Sequence, residues 1–500
     1  MKRTATLLIA LLGALVVPLS LSAQAPQLTR QQALIDAGNI NPFAKENLSS
    51  FTVATLDNGM PVIMKRSTNN RILSLKAVLQ GHVSFTPVQK AGLEAVMLTM
   101  LTRGSVHYAY ADMQKALFEK SSEIVPSYSS FDMTSLDLVT IDNYFDDLFP
   151  IFADAFLHPA WNAEEFPRVI NDFKMQKQQA ENDPYALAVQ LLRESFFAGH
   201  PYDAYWQGEG YSLEGISLDD VKKYYADTVT SGRMFLIAVG NFDTEKLLPM
   251  LNATFGAMSR AGYTRPPVPS FQGNVKPDLI VETFAQSEGL AYVRGNFAAP
   301  APDNPDYPAT LVSFSLLNDI LFEIVRTRNG ACYSIGASMH GFSAPYGDIT
   351  VYKTAVPGKV KPLIDQSIAV LASGRSMGGN VNASAAGKSG IGTAEQAGAA
   401  AFVPIADALP FYKAQALTEF YSGQQTNASV ASQIASSVIY HGDYRDYLLM
   451  IDRIQAVTAD DVVRVTKKYL INNPTLWIVL GDPAVLKDVT KDDFLRFTAD

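Results

Sequence analysis

The chain has 500 residues, 48% of them hydrophobic, and a formal net charge of −9 at pH 7. A chain of this size and composition buries more than one hydrophobic core, which predicts two or more globular domains. The acidic balance and the lack of a long basic run argue against nucleic-acid binding, because phosphate recognition needs clustered Lys and Arg. The single cysteine, Cys332, excludes an internal disulfide and a cysteine-based metal cluster.

Residues 1–23 have the pattern of a secretory signal peptide. Lys2 and Arg3 precede an apolar run that ends in small residues, with cleavage after Ala23 or Ala25. Pro18 and the modest apolar length argue against a spanning helix, and no later stretch looks apolar for long enough to cross a bilayer. The sequence therefore predicts an exported chain with no membrane span after cleavage and an N-terminal extension at residues 24–45.

The stretch AGLEAVMLTMLTRGS, from Ala91 to Ser105, has the spacing of a helix. Upstream, Thr86 is placed as an N-cap, Pro87 as the first helical residue and Gln89 as the third, and Gly104 ends the run. The apolar residues that fall on one face are Leu93, Val96, Met97, Met100 and Leu101. The sequence predicts a helix that is specified locally at both ends.

Two later segments repeat one pattern in an ungapped register. Ser217 and Thr458 each precede an acid by three residues, Asp220 and Asp461, which is the spacing of a capping box. Each predicted helix leads into a β-rich apolar run, MFLIAVG or LWIVLG, that ends in Gly. The repeat predicts two homologous halves.

A Pro-rich segment separates these halves. RAGYTRPPVPSFQG favours extended backbone, so we assign residues 261–274 as a linker, 46–260 as the N-terminal domain and 275–490 as the C-terminal domain. Residues 374–401 are rich in Gly, Ala and Ser and interrupt the second half. Their composition predicts a flexible surface insertion and leaves a functional lid as the alternative.

The segment from Leu321 to Tyr352 predicts a helix that ends in arginine and turns at Gly330 into a strand that contains Tyr333. An Arg near a helix C-terminus suits the helix dipole, and Tyr is ordinary in a strand. Arg326 and Tyr333 by themselves therefore indicate no function.

The order LDNGMPVIMKRS followed by GLEAVMLTMLTRGS resembles the first domain of the pitrilysin/insulinase metallopeptidases, in particular the two-domain branch that includes mitochondrial processing peptidase. The segment from Leu321 resembles the second domain of that family. The resemblance extends from about Phe51 to Asp482, without the Gly/Ala-rich insertion. It implies an α+β (α/β) fold with two homologous domains, each a mixed, largely antiparallel β-sheet packed with helices, that together form half of a clamshell.

In this family the first helix carries an inverted zinc motif, His-x-x-Glu-His. The alignment puts Ala95 and Thr99 at the two His positions and Leu98 at the position of the general-base Glu. Two His one turn apart hold Zn²⁺ while the Glu takes a proton from bound water, whereas Ala and Leu offer no ligand atom and a Thr hydroxyl is a poor ligand. The resemblance therefore implies a lost zinc site and no metal bound by this chain.

The third zinc ligand of the family, a Glu on a later helix, falls near Gln176. The register is open by a residue or two, and Asp172 and Glu181 are the nearest acids. The six histidines include no pair at i, i+4, so the sequence shows no relocated helical motif. A single acid would not restore the site.

The resemblance gives Arg326 and Tyr333 a role. In the family this Arg and Tyr face the zinc helix, hold the peptide carbonyl and stabilise the oxyanion of the tetrahedral intermediate; Arg328 is the alternative in register. A guanidinium and a phenol are donors suited to a developing negative oxygen, worth about 3 kcal/mol per donor in hydrolases.

Three functions follow from the resemblance. The first is a non-catalytic subunit of a heteromeric zinc metallopeptidase, inactive alone, which binds extended peptide and supplies Arg326 and Tyr333 to a homologous partner that has an intact His-x-x-Glu-His and the zinc. The second is an inert peptide-binding or scaffold protein of the same fold. The third is an active peptidase with substitute ligands. Export to the periplasm of a Gram-negative bacterium is expected.

Overall fold

The computed structural model describes residues 40–378 and 402–498. The predicted signal peptide, most of the predicted extension and residues 379–401 of the predicted insertion lie outside the described residues. The strands of the first sheet are β1 (Phe51–Thr55), β2 (Pro61–Arg66), β3 (Ile72–Gln80), β4 (Glu123–Ser127), β5 (Met133–Ile141) and β6 (Met234–Gly240), in the order β1-β2-β6-β3-β5-β4.

The second sheet repeats this arrangement, and among the described residues it has no equivalent of β1. Its strands are β7 (Asp278–Thr283), β8 (Ala291–Ala298), β9 (Ser334–His340), β10 (Tyr346–Thr354) and, after the short β11 (Arg375–Met377) and β12 (Phe402–Pro404), β13 (Thr475–Gly481). The order is β7-β13-β8-β10-β9. In both sheets one pair is parallel, β2 with β6 and β7 with β13, and the other neighbours are antiparallel. The predicted α+β fold with mixed, largely antiparallel sheets is confirmed.

Helices cover these sheets. In the first half they are α1 (Pro42–Leu48), α2 (Leu93–Leu101), α3 (Tyr110–Glu119), α4 (Phe145–Leu157), α5 (Phe166–Glu181), α6 (Pro184–Phe197), α7 (Gly210–Glu214), α8 (Leu218–Thr228) and α9 (Thr244–Ala253). In the second half they are α10 (Tyr307–Leu321), α11 (Pro357–Ala372), α12 (Ile405–Ser422), α13 (Asn427–His441), α14 (Met450–Ala456), α15 (Ala459–Thr466) and α16 (Lys491–Leu495).

The repeated capping boxes form as the sequence predicts. The hydroxyl of Ser217 accepts from Asp220 N at the start of α8, and that of Thr458 accepts from Asp461 N at the start of α15. Each carboxylate in turn accepts a hydrogen bond from the backbone N–H of its cap residue. The strands that follow, β6 and β13, are almost entirely buried, which accounts for their continuous apolar runs.

Two helices are exchanged between the halves. Helix α6 of the first half packs on β8 and β13 of the second sheet, where Leu192 joins the buried cluster that contains Ile478. Helix α13 of the second half packs on β3 and β6 of the first sheet, and Asn427 donates to the carbonyl of Ile72. Each half therefore completes the burial of the sheet of the other, and the described residues from Asn41 onwards form one compact unit.

The linker and the edges of the insertion are ordered. Residues 261–274 contain neither helix nor strand, and Arg265 in this segment donates to the Ile439 carbonyl at 2.6 Å and to the Ser343 hydroxyl at 2.6 Å. Arg375–Met377 and Phe402–Pro404 pair as a two-stranded antiparallel ribbon on either side of residues 379–401.

The helix predicted to start near Thr86 begins later, so its predicted cap is wrong. Val88–Lys90 form a single 3₁₀ turn, and the hydroxyl of Thr86 lies 3.2 Å from that of Tyr224 instead of capping a helix. The chain then bends at Gly92, whose φ is +86° and whose Cβ, if present, would lie 2.9 Å from the backbone of Gly208. This tertiary contact, which no local pattern encodes, sets the start of α2.

The expectation that no stretch after the predicted signal peptide is apolar for long enough to cross a bilayer is wrong. Among the described residues, the helical segment Tyr307–Arg328 is long and apolar enough to cross a membrane by length and composition. Its most apolar window is 72% buried inside the protein, as expected for a core helix.

Candidate functional site

Helix α2, which carries three of the degenerate zinc-site positions, is buried on nearly every side. It packs against α5, α8 and β4, and Ala95 and Leu98 are fully buried. The hydroxyl of Thr99 donates to the Ala95 carbonyl at 2.8 Å and is thereby occupied within the helix. These side chains do not fit a zinc ion: Ala95 and Leu98 have no ligand atom, and Thr99 directs its proton to the backbone.

The fourth degenerate position lies apart from this packing. Helix α5 turns Val169 and Phe173 towards the core, and Phe173 approaches the ring of Tyr128 at 5.7 Å. Gln176 is exposed and lines a cavity of about 400 Å³ that Arg294 of β8 also borders. Among the residues that the structure describes, no three His, Cys, Asp or Glu side chains come together as a metal site.

The sequence reasoning missed the charged group that this helix does carry. Glu94, fully buried, accepts two hydrogen bonds from Arg233 Nη2, at 3.0 and 2.7 Å, and one from Thr134 at 2.5 Å. The hydroxyl of Tyr224 donates to the same carboxylate. Arg233 is 2% exposed, and its guanidinium lies 4.4 Å from the centroid of the Phe85 ring. The signal available in the sequence was an acid within an otherwise apolar helix.

The environment of Glu94 keeps its carboxylate charged. Burial alone raises its pKa, but the charge of Arg233 and the bonds from Thr134 and Tyr224 outweigh burial, so that the pKa lies below its usual value. Burial lowers the pKa of His82, against the attraction of Glu94. The pair Glu94 and Arg233 therefore ties α2 to the start of β6 as a structural ion pair.

In the second half, α10 does not stop as α2 does. It continues as a π-helix, Phe322–Arg328, in which the side chain of Arg326 is half-buried. Single π turns in α-helices occur frequently at functional sites. After the turn at Gly330, where φ is +56°, β9 begins at Ser334, so Tyr333 lies just before the strand and the prediction that the strand contains it is wrong.

The structure brings Arg326 and Tyr333 side by side. The guanidinium of Arg326 lies 4.7 Å from the ring centroid of Phe322 and 5.4 Å from that of Tyr333. Tyr333 is 64% exposed, and its backbone N–H donates to the Lys353 carbonyl at 2.9 Å. Two hydrogen-bond donors are thus held at one surface by ring contacts.

The alternative arginine is engaged elsewhere. Arg328 Nε donates to Glu323 at 2.9 Å, and the Arg328 guanidinium lies 4.9 Å from the ring of Phe402. Arg326, within the described part of the chain, forms no ion pair and no side-chain hydrogen bond. Of the two, Arg326 is the one whose guanidinium N–H groups remain available to a ligand.

A row of tyrosines links this pair to the cavity beside Gln176. The ring of Tyr333 is 6.3 Å from that of Tyr352, which is 5.4 Å from that of Tyr185 on α6. Tyr185 borders the cavity with Gln176 and accepts from Arg294 at 3.5 Å. No hydrogen bond, ion pair or ring contact among the described residues links Arg326 or Tyr333 to α2.

The first sheet ends beside α2 in a strand with one open edge. In the region covered by the structure, β4 pairs with β5 and with no other strand, and α2 packs against it. Pro126 removes one donor from the open edge. The remaining backbone groups are available to an added extended segment.

Comparison with known proteins supports the family resemblance. A family model described as "Peptidase M16 inactive domain" matches residues 215–378. No curated protein sequence matches the chain. The match to the family model agrees with the predicted relation to the pitrilysin-type peptidases, and the description of that model names an inactive domain.

Solved structures match the fold over most of the chain. The peptidase M16 inactive domain from Pseudomonas fluorescens has a TM-score of 0.72 and 16% identity, covering 86% of this chain and 97% of that one. A chain of complex III₂ from Candida albicans has a TM-score of 0.66 and 15% identity, with coverage of 88% and 98%. The periplasmic protease PqqL from Escherichia coli has a TM-score of 0.66 and 17% identity, with coverage of 86% and 45%.

Proposed function

We propose that the chain is the non-catalytic subunit of a heteromeric zinc metallopeptidase. In this proposal it binds extended peptide and places Arg326 and Tyr333 at the zinc site of a homologous partner that has an intact His-x-x-Glu-His. The chain itself binds no zinc and has no peptidase activity alone. The observation that carries the proposal is the contrast between a packed α2 and an available Arg326.

The chemistry of the pair supports this role. A guanidinium and a phenol are both hydrogen-bond donors, and neither Arg326 nor Tyr333 loses its donors to a carboxylate among the described residues. Donors fixed before the reaction stabilise a developing negative oxygen without reorganisation. The ring of Phe322 contacts the guanidinium of Arg326, a cation–π contact that leaves its charge in place.

The open edge of β4 supports peptide binding. A peptide that adds as a strand bonds through its backbone, and this mode recognises an extended conformation more than a particular sequence. The side chains of β4 alternate between exposed and buried, so that the strand offers both backbone groups and exposed side chains to a substrate.

We place this subunit in the periplasm. The predicted signal peptide supports export, and one protein of the same fold is a periplasmic protease.

Co-expression tests the proposal. A homologous chain with an intact zinc motif is purified alone and together with this chain, and peptide turnover is measured for each. We expect this chain alone to be inactive, the pair to be active, and Tyr333→Phe to lower kcat of the pair with little change in complex formation. An unchanged kcat for Tyr333→Phe and for Arg326→Ala would overturn the role in trans.

A scaffold function is the second candidate, because a chain of complex III₂ shares the fold. It predicts binding to a partner or peptide with no effect on turnover. The third candidate, substitute zinc ligands, predicts peptide hydrolysis by this chain alone that a chelator abolishes, together with stoichiometric zinc in the purified protein.

A further inference from the structure

A polar cavity of about 310 Å³ lies at the end of the first sheet, away from the pair Arg326 and Tyr333. It is bordered by the end of β2, the loop Ser67–Asn70, helix α1 and the start of α13. Its volume lies in the range of small-molecule sites, about 300–1,000 Å³. The lining is mainly amides and hydroxyls, with Phe43, two valines, the two cations Lys65 and Arg66, and one carboxylate, Glu46.

The cation at the base of the cavity is buried and has no charged partner in contact. Lys65 is 7% exposed, and among the described residues its Nζ forms neither an ion pair nor a hydrogen bond. The ring of Phe51 lies 5.7 Å from Nζ, and Glu46 acts on the charge only from a distance. An ammonium group buried without hydrogen bonds is costly.

A second buried lysine in the same sheet has both a counter-charge and a hydrogen bond. Lys76 on β3 is 5% exposed, and its Nζ pairs with Asp137 and donates to the Ser135 hydroxyl at 3.2 Å. Lys65 is buried to a similar degree and has no equivalent of Asp137. Glu46, the carboxylate that borders the cavity, makes no ion pair or hydrogen bond with Lys65 Nζ among the described residues, so the ammonium lacks a contacting counter-charge.

Neighbouring groups have the chemistry to bind such a counter-charge. Arg66 also lines the cavity, is exposed, and forms no side-chain hydrogen bond or ion pair within the described ranges. The hydroxyls of Ser67 and Thr68 and the amide of Gln425 border the same space. Helix α13 starts there with Asn427, so the positive end of its dipole adds to the attraction for an anion.

We propose that this cavity binds the phosphate or carboxylate group of a small polar molecule. Lys65 and Arg66 neutralise the anion, and the hydroxyls and amides bind the rest of the ligand. This site is separate from the peptidase role and does not depend on it.

Thermal unfolding with inorganic phosphate tests the site, at constant ionic strength against chloride. We expect phosphate to raise the melting midpoint of the wild type and of Lys45→Met, an exposed lysine on α1, but not that of Lys65→Met. Arg66→Gln should weaken the phosphate Kd, measured by calorimetry, about tenfold. Acetate in place of phosphate distinguishes a carboxylate site from a phosphate site, since only the former raises the midpoint with acetate.

The variant without ligand provides a second readout. Because Lys65 is buried without a contacting partner, Lys65→Met in phosphate-free buffer should leave the melting midpoint unchanged or raise it. Lys76→Met should lower the midpoint, because it leaves the carboxylate of Asp137 without its cation. A Lys65→Met protein that keeps the full phosphate response, or a wild type without any response to phosphate or acetate, would overturn the proposal.

Discussion

Helices α2 and α10 occupy corresponding places in the two halves, but they differ in how they end and in whether their charged side chains are buried in an ion pair. Helix α2 follows β3, which lies between β6 and β5 in the first sheet. Helix α10 follows β8, which lies between β13 and β10 in the second sheet. Helix α2 stops at Leu101 and is fixed by the buried pair Glu94 and Arg233, whereas α10 runs on into a π-helix that contains the half-buried Arg326. One half has kept the helix for packing, and the other has kept donors that are available at the surface.

The largest expected effect tests how α2 is held. Arg233→Ala leaves the carboxylate of Glu94 buried without a cation, and we expect a loss of about 3–5 kcal/mol in the free energy of unfolding by urea titration. The matched control is Lys246→Ala, which breaks an exposed pair with Asp146 and should cost roughly 0–1 kcal/mol. Similar losses for both variants would contradict a structural role for the buried pair.

Acid should weaken the same contact. Because the folded pKa of Glu94 lies below its usual value, its contribution is complete above the usual carboxyl range and is lost as pH falls through the folded pKa. We expect Glu94→Gln to flatten the stability profile on the acid side of about pH 4. An unchanged slope in urea titrations across that range would show that Glu94 does not titrate as described.

Substitutions that restore zinc-site residues separate packing from chemistry. Ala95→His inserts a ring at a fully buried position and should destabilise the chain by about 1–3 kcal/mol. Gln176→Glu, also a substitution towards the family ligand, lies at an exposed position and should change stability by less than about 0.5 kcal/mol. If calorimetry shows Ala95→His to be neutral, α2 retains space for a ligand and the packed interpretation is wrong.

The smallest effect tests the repeat. Ser217→Ala and Thr458→Ala remove the same cap from α8 and α15 and should each cost about 1 kcal/mol. Ser432→Ala, at an exposed position within α13, is the control and should be near neutral. Chemical denaturation that finds only one of the two caps important would show that the halves differ in this element.

The cap at Ser217 also predicts a pH dependence. Hydrogen bonds from Ser217 and Lys90 lower the pKa of Asp220 to about 2. The stability that Asp220 contributes is therefore present above the usual carboxyl pKa, about 3.9, and is lost as pH falls towards 2. Ser217→Ala should reduce the stability change across this window, as measured by thermal unfolding, whereas Ser432→Ala should not.

Features encoded over short stretches could be predicted from the sequence. The two capping boxes, the buried strands that follow and the absence of helix or strand in residues 261–274 depend on neighbouring residues, and the structure contains them. The closeness of Arg326 and Tyr333 follows from one helical end and the turn after it, since the two lie seven positions apart in the sequence. The roles of these two residues and of Ala95, Leu98, Thr99 and Gln176 stay predictions.

Features that depend on distant parts of the chain could not be predicted. The start of α2 is set by the approach of Gly92 to Gly208, and Glu94 finds its partner in Arg233 across the fold. The exchange of α6 and α13 between the sheets leaves no local pattern, since both are ordinary apolar helices in sequence. The cavity beside Lys65 could not be predicted for the same reason, because α13, which borders it, comes from the other half.

The role of the Arg326 guanidinium is best tested by comparing it with Arg328, a second arginine on the same π-helix. With the partner subunit present and peptide saturating, kcat is measured for Arg326→Ala and for Arg328→Ala. The proposal predicts a loss of about 10²-fold or more for Arg326→Ala, the effect of removing an oxyanion donor, and little change for Arg328→Ala. Equal kcat values for the two variants and the wild type would contradict it.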